Sequence, residues 1–413
     1  MKKIILVGGG ITSCITAFLL LNEQVEIEIH EQTAGLGGVL RDFEFENDKF
    51  FRGVQYLDVN NIWYKKIEKV FSNELDIFEH TYGCHVNCEG EETYTRNYAV
   101  PTFKNIDLNE LPDLKKNNFK SSLDRISIYG EKEKSFFLRL MERHNLKADK
   151  LNFNSPGALQ ISRIASLENE SEILNLKNKN STLDKYFAVK RKKLFKEKLL
   201  ASLPKHGFNE FFLKLQDYLE NNGVQIFLKS KIEPEWIGNK LNIIKNGKMI
   251  NNDYVVWTGN PTKLINKFNG EKLESEYIKM LQISANMISD IPENTYLQIF
   301  SDETNITRIY LYKLNGVSKI SIEAIFHDVN PNEIMDTAEL LLKRFGLNLK
   351  INKNNFFKKI DPRFNIVSLK DEKIIENFLL ATEKTNLVKS PWLFYGRDQK
   401  IAYLYNEIKK FLF

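Results

Sequence analysis

Three small residues and one acid near the start of the chain have the spacing to hold a pyrophosphate and a ribose. Gly8 and Gly10 fill the first two places of a Gly-x-Gly-x-x-Gly turn, Ser13 stands at the third, and Glu31 follows at the distance, about 20 residues on, where an acid binds ribose hydroxyls. Bare backbone at the glycines admits an anion. A helix opening at Ile11, Thr12 and Ser13 turns its first N–H groups and its positive dipole end toward that anion. Serine is small enough to keep such a helix close to its sheet. Dinucleotide binding is the chemistry that these residues imply.

The pattern needs a strand before the turn, a helix after it and a second strand ending at the acid. Residues 3–7 form a short apolar run of the kind found in buried parallel strands. Residues 11–21 carry apolar side chains too densely for a surface helix but fit one packed on a sheet. Residues 25–30 alternate into a second strand. A strand, turn, helix and strand are therefore predicted over the first thirty residues or so.

The run Gln32-Thr33-Ala34-Gly35-Leu36-Gly37-Gly38-Val39-Leu40-Arg41 adds a second glycine pair just after the acid, which an NAD-binding unit does not need. It resembles the Glu-x(5)-Gly-Gly-x-x-Arg element of FAD-binding flavoproteins of the amine oxidase and protoporphyrinogen oxidase superfamily, which also includes UDP-galactopyranose mutase. The resemblance implies FAD as cofactor, with Gln32, Gly37, Gly38, Val39 and Arg41 beside it. An arginine commonly follows the glycine pair in that family. Val39 stands there, so the glycine contact carries over and a pyrophosphate salt bridge at that position does not.

Later segments extend the resemblance. Phe50-Phe51-Arg52-Gly53-Val54-Gln55-Tyr56 is similar to the stretch that brings backbone and a polar side chain near the flavin, which implies roles for Gly53, Val54 and Gln55. Residues 203–228 resemble the Pro-x-x-Gly, helix and strand passage back to the cofactor domain, and Ile232 falls where the family contacts adenine through backbone. The strand before Thr258-Gly259 ends in a turn that would close over the dinucleotide. Asn305-Ile306-Thr307-Arg308-Ile309 resembles a mutase stretch, as do Gly396-Arg397 and Tyr403 near the end, although Tyr405 replaces the mutase's later acid. Arg308, Arg397 and Tyr403 are the catalytic candidates on this basis.

Other reactive-looking groups read as structural. In Cys84-His85-Val86-Asn87-Cys88, strand alternation sends Cys84, Val86 and Cys88 to one face and His85 to the other, which suits core thiols better than metal ligands. No metal is expected. His206, a lone histidine in a turn, reads as structural rather than as a general base, and residues 190–198 read as a solvated helix face.

The fold class expected is α/β: a Rossmann-like FAD/NAD(P)-binding domain with a second, α+β substrate domain. The cofactor domain would be assembled from residues 1–56, 203–265 and 389–413, and the substrate domain from 57–202, with a helical insertion, and 266–388. With 413 residues, 42% hydrophobic and 27% charged, the chain has a globular composition. A net charge of +5 without a long basic block marks no nucleic-acid surface. Three cysteines and no signal-like start suggest a cytoplasmic protein, and no apolar run approaches the roughly 20 residues of a membrane span, so any membrane contact would be peripheral. Three functions are consistent with this reading. They are an FAD-dependent oxidoreductase taking a hydride from a small molecule such as an amine or porphyrinogen, a UDP-sugar mutase using reduced FAD, and a flavoprotein scaffold.

Overall fold

A computed structural model describes residues 1–108, 120–155, 159, 161, 163–189, 200–274, 276–325 and 329–412 of the chain. The basic run Lys190-Arg191-Lys192-Lys193, and residues 190–198 as a whole, lie outside the described residues.

The N-terminal unit forms as its sequence pattern requires. Strand β1 (Lys2–Val7) buries Ile4, Ile5, Leu6 and Val7 on both faces, helix α1 (Ile11–Leu20) packs over it, and β2 (Val25–His30) runs parallel to it. They belong to a five-stranded parallel sheet in the order Gln225–Phe227, β2, β1, Tyr254–Trp257, Leu387–Val388. This layer thus reaches back beyond the expected boundary at residue 389. The helix Leu369–Ala381 also belongs with it, because Ile374, Ile375 and Phe378 pack with Ile5 and Val255. The helices Phe208–Asn221 and Arg397–Leu412 share the core of α1 on the other face.

The second layer is a seven-stranded mixed sheet in the order Ile351–Ile366, Glu276–Met287, Val317–Ile325, Ile306–Leu314, Thr295–Ser301, Thr81–Cys88, Glu91–Thr95. Strand alternation gives its central strands two unlike faces. Ile283, Leu297, Ile309, Leu311, Ile320 and Ile322 pack with Met335 and Leu341 of the helix Pro331–Arg344. Their alternates, Ser284, Tyr296, Arg308, Tyr310, Ser321 and Glu323, are buried as well, which leaves a polar and aromatic face. Ser284, Ser321 and Tyr312 on this face bond to the backbone of Phe51, so it is the face turned toward segment 51–56.

The insertion supplies a further core. Phe136 and Phe137 of the helix Glu131–Glu142 pack with Cys84, Val86 and Cys88, while His85, on the opposite face, stacks on Tyr94. All three cysteines are buried and free. Among the described residues no helix is long and apolar enough to cross a membrane.

Candidate cofactor and substrate site

The two glycine turns are packed on each other. Gly8 has φ +103°, and a Cβ there would lie 2.8 Å from Thr258 Oγ1, so conformation and space both demand glycine. Gly37 has φ +106°, and its N–H donates to the Gly9 carbonyl at 2.8 Å. Gly10 is the N-cap of α1, which has no side-chain cap and no acid in its first turn, and a Cβ on Gly10 would meet nothing within 4 Å. The helix N-terminus is therefore approachable by an anion.

Glu31 closes this cradle. It is buried; its Oε2 accepts the Gly9 N–H at 2.6 Å and its Oε1 accepts the Thr33 N–H at 2.7 Å. A carboxylate has about four lone-pair sites, so both oxygens can still accept ribose hydroxyls.

From this cradle a cavity of about 1480 Å³ runs to the polar face of the seven-stranded sheet. Single-ligand pockets span about 300–1,000 Å³, so the space suits a dinucleotide and a second molecule. Gly8, Gly10, Ile11, Thr12, Glu31 and Gln32 line it from the first unit, and Gly37, Gly38, Val39 and Arg41 from the second turn. Val54, Gln55, Ile232, Thr258 and Gly259 join them, with Gly396, Arg397 and Arg308.

Three candidates lie elsewhere. Ser13 is fully buried with its Oγ on Thr258 Oγ1 at 2.8 Å, so it serves the packing of α1 on the sheet. Gly53 faces Glu323, whose Oε1 would be 2.0 Å from a Cβ there. Tyr403 is directed at Phe394, with ring centroids 4.9 Å apart, and does not line the cavity. Helix direction explains this last case, since Tyr403 sits almost two turns beyond the Arg397 end that meets the cavity. His206 is exposed and paired with Asn315 Oδ1 at 3.0 Å, as a structural turn histidine would be.

At the sheet end the candidate Arg308 is joined by Glu323 and Arg363, which the sequence reading did not single out. Glu323, fully buried, holds Arg308 Nη1 at 3.2 Å and Arg363 Nη2 at 2.9 Å, and both arginines line the cavity. Burial alone would raise the Glu323 carboxyl, but Arg363 and Arg308 outweigh it and hold the group below the usual glutamate range. Glu323 Oε1 also accepts the Val54 N–H at 3.2 Å, and Arg363 donates to the Val54 carbonyl at 3.4 Å. Arg397 donates to the Tyr56 carbonyl at 2.8 Å and to Gln55 Oε1 at 3.3 Å. Segment 53–56 is thus fastened to the seven-stranded sheet on one side and to the C-terminal helix on the other. Tyr56 and Tyr296 add aromatic wall, and burial pushes both phenols up, so they stay protonated.

Comparisons with known proteins agree with this architecture. Residues 6–75 match the family of NAD(P)-binding Rossmann-like domains. No curated protein matches the chain. Among solved structures, reduced UDP-galactopyranose mutase superposes with a TM-score of 0.68 at 11% identity, covering 100% of this chain and 96% of that one. A provisionally named protoporphyrinogen oxidase from Exiguobacterium sp. 255-15 gives 0.63 at 12% identity, with 100% and 98% covered. Putrescine oxidase bound to putrescine gives 0.62 at 10% identity, with 100% and 99% covered.

The chain shares the fold of these three enzymes over its whole length. At these identities the likeness is one of fold. The shared fold explains why the cradle is built from separated segments. Residues near 8, 37, 55, 232, 258 and 396 converge on one cavity although nearly the whole chain lies between the first and the last.

Proposed function

We propose that the chain is an FAD-dependent oxidoreductase that takes a hydride from a small-molecule donor held between the glycine cradle and the sheet face bearing Arg308, Tyr296 and Arg363. One observation carries the reading: the interlocked turns at Gly8–Gly10 and Gly37–Gly38, with the Glu31 carboxylate beside them, open into the same cavity as that sheet face. When bound, FAD supplies the hydride acceptor.

The chain's own residues would bind and orient. Glu31 would hold the ribose, and the first N–H groups of α1 the pyrophosphate. The start of the helix Arg397–Leu412 turns a second positive dipole end into the cavity, suited to charge that builds on a reduced ring. Tyr56 and Tyr296 would exclude water beside the donor, and the braced segment 53–56 would fix the distance between donor and acceptor.

The arginines favour a second reading, a mutase acting on a nucleotide sugar, because a diphosphate needs convergent cations. Tyr403 lies outside the cavity and Tyr405 stands in place of the mutase acid, which weakens it. Purified protein mixed anaerobically with a panel of amines and 2-hydroxy and amino acids tests the proposal. Flavin bleaching without added reductant is expected. Turnover of UDP-galactopyranose only after dithionite, with UDP competing, would move the assignment to a mutase, and flavin inert to both would make the protein a scaffold.

A further inference from the structure

We infer that Ser230, oriented by the buried pair Glu28 and His30, selects the base of the nucleotide held at Glu31: its hydroxyl oxygen accepts the 6-amino group of an adenine and disfavours a base with a carbonyl there. The inference rests on the reading of a dinucleotide cradle at Glu31, and it names a specificity-determining residue for the base.

Lys3 Nζ of β1 lies 2.6 Å from Glu28 Oε1, which holds Glu28 as a carboxylate. The other oxygen, Oε2, lies 3.3 Å from His30 Nε2. A carboxylate can only accept, so the imidazole proton belongs on Nε2. His30 is buried and stacked on the Phe227 ring, with centroids 4.7 Å apart. Burial outweighs the pull of Glu28 and lowers the His30 pKa below the usual 6.5, and the positive charges of Lys245 and Lys3 act in the same direction. His30 is therefore neutral at neutral pH, and its Nδ1 carries only a lone pair.

That lone pair fixes the hydroxyl of Ser230. Nδ1 lies 2.9 Å from Ser230 Oγ, and of the two atoms only the hydroxyl has a proton to give. Ser230 thus donates to His30 and keeps only lone pairs for the cavity, which both residues line. An unconstrained serine would rotate to suit either a donor or an acceptor, but this one is committed. Packing alone does not call for such an arrangement, since burying these polar groups costs desolvation that apolar side chains would avoid.

The backbone sets Ser230 beside the ribose acid. The Ser230 N–H donates to the Glu31 carbonyl at 2.8 Å, and the Glu31 N–H donates to the Phe227 carbonyl at 2.9 Å. Ile232, expected to meet adenine through its backbone, follows two residues on and lines the same cavity. Ser230 therefore stands at the base end of the cradle. Adenine brings amino protons to it. Hypoxanthine brings a carbonyl oxygen, whose lone pairs would face those of Ser230 in a buried recess, and an unmatched buried acceptor is costly. His30 is a positioning residue in this arrangement, acting through the serine hydroxyl.

Calorimetric titration of the full-length protein, stripped of flavin, with AMP and IMP tests the inference, because IMP exchanges the 6-amino group for a 6-carbonyl. AMP should bind at least tenfold more tightly than IMP. Ser230→Ala removes the acceptor and should bring the two to within about threefold by weakening AMP. His30→Leu keeps the hydroxyl but frees its proton to turn toward a carbonyl, and should narrow the ratio by favouring IMP. A merely structural role for His30 would weaken both nucleotides alike and leave the ratio unmoved. Equal binding of AMP and IMP by the parent, or a parental ratio in Ser230→Ala or in His30→Leu, would overturn the inference and leave the cradle standing. Binding of neither nucleotide would overturn it together with the cradle. A preference for AMP in a protein whose flavin no donor bleaches would uphold the base selection and remove only the oxidoreductase.

Discussion

The N–H of Gly37 donates to the carbonyl of Gly9 at 2.8 Å, so the two glycine turns, nearly thirty residues apart, form one surface. A Cβ on Gly38 would lie 3.2 Å from the Gly10 Cα, and one on Gly37 would lie 2.5 Å from the Phe212 ring. The turns do not tolerate substitution equally. Gly37→Ala combines a positive φ with a collision in the core and is expected to yield little folded protein. Gly10→Ala meets no neighbour and has an ordinary φ of −70°, so it should fold with an unchanged melting temperature. Its methyl group would occupy the path of the pyrophosphate, and FAD affinity should fall at least tenfold by equilibrium dialysis. Equal FAD binding by Gly10→Ala and the parent would refute the placement.

Glu31 accepts one backbone N–H on each oxygen, from Gly9 and Thr33. Glu31→Gln must turn its NH2 group toward one of those donors. Charge-assisted hydrogen bonds contribute about 1.5–3 kcal/mol each, so FAD affinity should drop roughly 10- to 100-fold. The loss should appear in FAD and in AMP alike, since the ribose is common to both, and a normal AMP affinity in the variant would argue against ribose binding by this carboxylate.

Removing Glu323 should cost more than removing any single arginine contact at the surface. Glu323→Gln leaves Arg308 and Arg363 facing one another in a buried recess and frees the Val54 N–H from its charged acceptor. Breaking a buried pair in this way costs about 3–5 kcal/mol. Urea unfolding should report a loss of that order, and Glu323→Gln with parental stability would show that the triad does not brace the segment.

What the sequence disclosed follows from where local signals are strong. The unit from β1 to Glu31 could be read because glycine spacing, apolar density and strand alternation all point the same way within thirty residues. The Cys84 and His85 faces were legible from period two alone. Arg363 was not, because it sits on Ile351–Ile366, whose lysines, asparagines and Pro362 disguise a long strand. That strand lies at the sheet edge, where proline is tolerated and polar residues are common. Glu323 was not legible either, because its pairing with two arginines 15 and 40 residues away is a tertiary fact that no local pattern encodes. Tyr403 shows the reverse case, in which a motif likeness suggested a site residue and helix geometry turned it elsewhere.

Tyr403→Phe accordingly should leave FAD affinity and substrate turnover within about twofold of the parent. Its ring packs on Phe394, a contact that phenylalanine preserves. A tenfold fall in turnover with FAD bound would return Tyr403 to the site and revive the mutase reading.

His80 offers a test of the buried aromatic wall by pH. It is 3% exposed, packed against Tyr56, Phe78, Tyr82 and Tyr310, and neither ring nitrogen has a partner among the described residues. Burial pushes its pKa down to about 3 from 6.5. The unfolded chain therefore binds a proton below about pH 6.5 that the folded chain refuses, so this group destabilises the fold progressively as pH falls toward 3. His80→Phe fits the same aromatic surroundings and removes that proton. The stability of His80→Phe relative to the parent should rise by about 1.4 kcal/mol per pH unit below 6.5 and be flat above it. The midpoint of urea unfolding at pH 7.5, 6 and 5 measures this, and a difference independent of pH would mean that the folded protein admits a charged His80 after all.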